Sequence, residues 1–261
     1  MNPTQRYLFD LNGYLHLKNV LSNAELEKAQ DAVERCIQIP PEKLPHGWNF
    51  SFDKSLEALT MHPITWPIIK ELSDNKPRLN RGSLAVDTHE KGLITPLHCA
   101  REGQGWQTRR YEVRNSRIFC NDIVAFFYFT DVHPGDGGLV VVPGSHKSEF
   151  QRPKELFFPD LEDLNPRLHP AIKNITPRAG DVIVLSELTT HGVLIWKPKD
   201  RDRRFLLLRY KTQYFQDEQG ERYVYGQELL DKLSPETLEL MAYASHPHTK
   251  EVAKHDVIHL S

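Results

Sequence analysis

Residues 131–147, DVHPGDGGLVVVPGSHK, decide how the rest of the chain is read. Pro134-Gly135-Asp136-Gly137-Gly138 is a turn in which the glycines open positive φ to the backbone. Leu139–Val142 is an apolar run of strand length, and Pro143-Gly144 is a second tight turn. Two glycine clusters this close together forbid the sustained period of roughly 3.6 residues that a helix needs. The segment is therefore a strand end, a turn, a buried strand and another turn.

Outward from it the same punctuation continues. Short apolar runs at Ser83–Val86, Ile118–Phe129, Val182–Leu185, Gly192–Trp196 and Phe205–Tyr210 are separated by turn formers such as Ala179-Gly180-Asp181. Many short strands with Gly and Pro between them predict a sandwich or barrel. The two ends read differently. A short helix leads into a strand at Gly13–Leu17, and Ser22 with Glu25 three residues later forms a capping box. Ala24, Leu26, Ala29, Ala32, Val33, Cys36 and Ile37 then follow at helical spacing until Pro40-Pro41. A second helix is expected over residues 61–73, interrupted by Pro63 and Pro67, and helical spacing returns over 227–242 with a restart at Ser234-Pro235.

The expected fold is mainly β with flanking helices, a double-stranded β-helix (jelly roll, cupin-like) with helices against one face. A single domain over residues 1–261 is expected: a helical N-terminal part to about 78, a jelly-roll core over about 79–215 and a helical tail from about 216.

Composition narrows the function class. Hydrophobic residues at 39% and charged residues at 26% suit a soluble globular chain. The net charge of −2 gives no reason to expect a nucleic-acid or membrane partner, and no apolar run approaches the ~20 residues of a membrane span. Three cysteines are too few and odd in number for a disulfide framework, so a reducing cytoplasm is the expected compartment.

The 131–147 segment resembles the signature of the phytanoyl-CoA dioxygenase family, iron(II)/2-oxoglutarate oxygenases with a jelly-roll fold. Phe9-Asp-Leu-Asn-Gly-Tyr-Leu15 with the capped helix after it, Ala179–Leu185 leading into Thr190-His191-Gly192, and Arg203–Tyr210 are similar to the family in the same order. The resemblance implies Fe(2+), 2-oxoglutarate and O2 as cofactors and co-substrate. It places the metal ligands at His98 and His191. It also places the arginine for the distal carboxylate of 2-oxoglutarate at Arg203, with Arg204 beside it on the other side of the strand. Asn121 is a candidate for the other end of the oxoacid, with a structural amide as the equal alternative.

In one position the chain departs from the family. The metal motif is usually HxD, whereas here Leu97-His98-Cys99-Ala100 puts a methyl group in the carboxylate's place. An HxA motif resembles the iron/2-oxoglutarate halogenases, in which chloride sits beside the metal where the carboxylate is missing, and Ala100 would then line a halide pocket. Halogenation of an aliphatic C–H is the leading expectation. A hydroxylase in which Glu102, Asp87 or water fills the position is the second, and a non-catalytic jelly-roll binding protein the third. Strand alternation points Cys99 away from His98.

The substrate is expected to be a small molecule. Residues 101–117 carry five arginines against two glutamates, a local charge of +3 in a nearly neutral chain. Arg109 and Arg110 are the candidates for recognising an anionic group, against the plainer reading of a solvated β-hairpin. Trp106 and Tyr111 either stack on substrate or anchor the loop.

Overall fold

The computed structural model describes residues 1–89, 94–100, 110–153, 156, 167–215 and 225–249. Strands β1 (Tyr14–Leu17), β2 (Pro77–Asp87), β6 (Asp122–Tyr128), β9 (Val182–Ser186) and β11 (Arg203–Thr212) form a five-stranded sheet in the order β1-β9-β6-β11-β2. Strands β3 (Thr95–His98), β7 (Gly138–Val141), β8 (Lys173–Asn174) and β10 (His191–Leu194) form a four-stranded sheet in the order β3-β10-β7-β8. Every pairing is antiparallel. Strands β4 (Tyr111–Arg114) and β5 (Arg117–Cys120) form a separate hairpin.

Period-two alternation assigns the two faces of the larger sheet. Val124, Phe126 and Tyr128 of β6, Ile183 and Leu185 of β9 and Phe205 of β11 meet Leu139 and Val141 of β7, and together they fill the space between the sheets. The intervening residues, Ile123, Ala125, Phe127, Val182, Val184, Leu206 and Leu208, face a larger core formed with the helices. Burying each large apolar side chain there contributes about 1.5–3 kcal/mol before entropy is set against it. This is the jelly roll with helices on one face that the sequence predicts.

The helical layer consists of α1 (Pro3–Asn12), α2 (Asn23–Ile37), α3 (Lys54–Glu57), α4 (Trp66–Leu72), α5 (Gln227–Leu230) and α6 (Pro235–Met241). The Ser22–Glu25 capping box opens α2, and Ser234 caps α6 through Thr237 N–H. The helix expected over 61–73 is shorter, because Pro67 is tolerated only in the first turn and so fixes the start near Trp66. Among the described residues no helix is long and apolar enough to cross a membrane.

The run Ile118–Phe129 is not one strand. It breaks at Asn121: β5 pairs only with β4, while β6 pairs with β9 and β11. Asn115 (φ 51°) and Ser116 (φ 61°) turn the β4–β5 hairpin through the left-handed region. The Asn121 side-chain oxygen then accepts the Arg110 N–H at 2.8 Å, which ties the base of the hairpin at the break.

Candidate metal centre

His98 ends β3 and His191 begins β10, and the register sets them directly opposite each other. Their rings lie 4.3 Å apart, centroid to centroid. His191 is cross-strand from Val141, an inter-sheet core residue, and Leu97 faces the opposite core with Val140. Both histidines therefore point into the space between the sheets. Each ring nitrogen Nδ1 lies against a backbone carbonyl, Pro96 O at 2.8 Å for His98 and Thr189 O at 2.7 Å for His191. A carbonyl can only accept, so each Nδ1 carries the proton and each Nε2 keeps its lone pair. Burial also pushes the His191 pKa down, against the pull of Glu187, which favours the neutral ring that a metal needs. Two converging imidazoles, each with Nδ1 tied to a backbone carbonyl, are the donor set that a transition metal takes.

Gly192 allows this approach. A Cβ there would stand 2.8 Å from Thr95 O and 3.1 Å from Leu97 N, both backbone atoms of β3. Any side chain at 192 would force β3 and β10 apart.

Ala100 lies two residues beyond His98, and its N–H donates to Glu187 O at 2.8 Å. Glu187 is 4% exposed. Its Oε2 is 3.8 Å from His191 Nε2, and its Oε1 is 2.9 Å from Arg209 Nη2. Sequence reasoning missed both Glu187 and Arg209. The signal was present in strand alternation: Ile183 and Leu185 face the inter-sheet space and 187 continues that series, as 209 continues the series of 203 and 205. Of the two carboxylates expected as substitutes, Glu102 lies outside the described residues. Asp87 is engaged elsewhere, on the edge strand β2.

Asp87 pairs with Arg203 across β2 and β11. Arg203 donates to Asp87 Oδ2 through Nε at 2.8 Å and also through Nη2. Its guanidinium lies 4.9 Å from the Phe205 ring centroid, and a Cβ at Gly138 would come within 2.7 Å of Nη1. Arg203 therefore reaches from the larger sheet to the start of β7. Gly138 is cross-strand from Leu194 and Val141 from His191, so Arg203 approaches β7 three residues along from the histidines, about 10 Å at strand rise. Arg204 points the other way, to Glu34 of α2 and to Asp202.

Asn121 is not aimed between the sheets; its amide oxygen is occupied by the Arg110 N–H. Asp122 continues the series of Val124, Phe126 and Tyr128 along β6 and is cross-strand from Lys211. Arg110 is exposed at the start of the hairpin, while Arg109 and Trp106 lie outside the described residues. Tyr111 is an anchor: its hydroxyl donates to Asp10 of α1 at 2.6 Å, and its ring packs edge-on to the buried His146.

The family comparison bears on this geometry directly, because residues 77–193, which include both histidines, match the profile of Phytanoyl-CoA dioxygenase (PhyH). Over those residues the chain is similar to the phytanoyl-CoA dioxygenase family. Solved structures share the fold. HygX from Streptomyces hygroscopicus, with nickel and 2-oxoglutarate bound, superposes with a TM-score of 0.72 at 20% identity, covering 86% of this chain and 96% of that one. SnoK, a non-heme alpha ketoglutarate dependent carbocyclase from nogalamycin biosynthesis, gives 0.60 at 20% identity, over 90% and 92%. No curated protein matches the chain.

Proposed function

We propose that this protein is an iron(II)- and 2-oxoglutarate-dependent oxygenase of the phytanoyl-CoA dioxygenase family that functionalises an aliphatic C–H bond of a small molecule. The observation that carries the reading is the cross-strand histidine pair, His98 and His191, with both Nδ1 atoms tied to carbonyls and both Nε2 atoms left as donors. These two residues would hold the iron. Arg203 would hold the distal carboxylate of 2-oxoglutarate, since a buried planar guanidinium suits a bidentate anion and its distance along β7 suits a five-carbon diacid. Iron, the oxoacid and O2 supply the oxidising chemistry. The chain's own residues orient these groups, and Val124, Phe126, Leu185 and Phe205 keep water from the space between the sheets. One solved neighbour of the same fold, HygX, holds hygromycin B together with nickel and 2-oxoglutarate, which supports a small molecule as the class of substrate.

Ala100 supports a second reading, chlorination with chloride as an added cofactor, because a methyl group cannot ligate metal and leaves room for a small anion. The buried Glu187 carboxylate beside His191 weighs against it, since it already puts a negative charge at that end of the site. The test is anaerobic iron(II) and 2-oxoglutarate titration of the protein and of His98→Ala and His191→Ala, followed by mass spectrometry of products with and without chloride. Iron binding lost in both variants and an oxygenated, chloride-independent product support oxygenation. Full-affinity binding by both variants removes the metal assignment, and a chlorinated product returns the site to halogenation.

A further inference from the structure

Resting on the iron-oxygenase reading above, we propose that Glu187 supplies the third protein ligand, a carboxylate brought in from the end of β9 to replace the one that position 100 lacks. The backbones of residues 100 and 187 abut through the Ala100 N–H to Glu187 O hydrogen bond of 2.8 Å. The methyl group of Ala100 supplies no ligand, and the adjoining Glu187 carries a carboxylate on a longer side chain.

Three features of Glu187 point to coordination. Its Oε2 lies 3.8 Å from His191 Nε2, the one ring nitrogen that its backbone bond leaves available. Metal bonds of about 2.1 Å at right angles put neighbouring donor atoms about 3 Å apart, so the separation of Oε2 from Nε2 exceeds that of a ligand pair by about 1 Å. Among the described residues no three such groups stand close enough to hold a metal as they are. Coordination therefore requires a rotation about the glutamate's side-chain bonds to close that gap.

Arg209 provides the second feature. Its Nη2 lies 2.9 Å from Oε1, the other carboxylate oxygen. This is the outer-shell arrangement that orients a ligating carboxylate with one oxygen turned to the metal.

The third is burial. Glu187 is 4% exposed, whereas the Arg209 side chain keeps 22% of its surface in solvent. The ion pair with the partly exposed arginine offsets part of the cost of burying the carboxylate. A divalent cation between Glu187 and the two imidazoles would offset it further. The site is then two histidines and one carboxylate, with no halide required.

The experiment measures cobalt(II) affinity and the cobalt d–d absorption of the full-length protein. The variants are His98→Ala, His191→Ala, Glu187→Ala, Glu187→Gln and the double variant Glu187→Ala with Ala100→Asp, each checked for folding by circular dichroism. Glutamine keeps the volume and an oxygen facing Arg209 but loses the charge, so it guards against a folding artefact. Both single Glu187 variants are expected to lose at least about 100-fold in affinity and to change the d–d spectrum, as removing a ligand exceeds the effect of removing an outer-shell partner. The double variant is expected to recover most of the loss, which a structural salt bridge to Arg209 would not do. Wild-type affinity and spectrum in Glu187→Gln, with binding lost in both histidine variants, overturns the Glu187 assignment and leaves the oxygenase reading standing. Undiminished binding in the histidine variants overturns the oxygenase reading itself.

Discussion

Replacing Arg203 by alanine separates the two faces of β11 in a single measurement. Arg203 is 1% exposed and its partner Asp87 4% exposed, and two guanidinium nitrogens converge on one carboxylate oxygen. Deleting the arginine leaves a buried carboxylate without its cation, a change that costs about 3–5 kcal/mol. For a chain of this length that corresponds to a fall in Tm of roughly 6–20 °C. Arg204→Ala breaks pairs to Glu34, whose side chain is 60% exposed, and to Asp202, and should cost about 0–1 kcal/mol. Urea denaturation with an unchanged m value, alongside calorimetry, reads both. Arg203→Ala with Asp87→Asn should regain much of the loss, because the orphaned charge is gone. Arg203→Lys keeps a charge but loses the bidentate fork, and should weaken 2-oxoglutarate binding by about 2–4 kcal/mol in calorimetric titration. Equal stability of Arg203→Ala and Arg204→Ala would refute the buried pair. Loss of oxoacid affinity in Arg204→Ala instead of Arg203→Lys would move the binding site to the helix-facing side of the sheet.

Gly192→Ala should displace β3 from β10, since its Cβ meets only backbone atoms, at 2.8–3.2 Å; a metal affinity lowered about tenfold or more with the fold retained is expected, and unchanged affinity contradicts the tight approach. If the basic 101–117 segment recognises an anionic substrate, neutral replacements at Arg109 and Arg110 raise KM and leave 2-oxoglutarate binding intact, whereas unchanged turnover leaves a solvated hairpin. Burial holds the His62 pKa below its ordinary value, with Glu25 opposing. A group lowered in this way is neutral in the fold and takes up its proton more readily when unfolded. Its contribution is therefore complete above pH ~6.5 and lost as the pH falls below that value. His62→Gln should flatten the decline of Tm on that acid limb, and an unchanged slope would assign the acid sensitivity to other groups.

The sequence alone determined whatever rests on local periodicity and punctuation. Capping at Ser22, turns at Gly137-Gly138 and Gly144, and alternation along β6, β9 and β11 are set by residues a few positions apart, so they can be read without the fold. The order of motifs likewise singled out His98 and His191, which the strand register sets opposite each other, and alternation separated Arg203 from Arg204. Tertiary structure decided how distant strands meet. Asn121 looked like the middle of a strand until β5 and β6 paired with different partners and the Arg110 N–H claimed its amide oxygen. Asp87 looked like a spare carboxylate until β2 paired with β11 and gave it to Arg203. Glu187 drew no notice from spacing, because what matters about it is its distance from His191, Arg209 and Ala100, which three separate strand registers fix. Periodicity is a property of neighbouring residues, whereas residues 98, 187 and 191 come together only once those registers are formed.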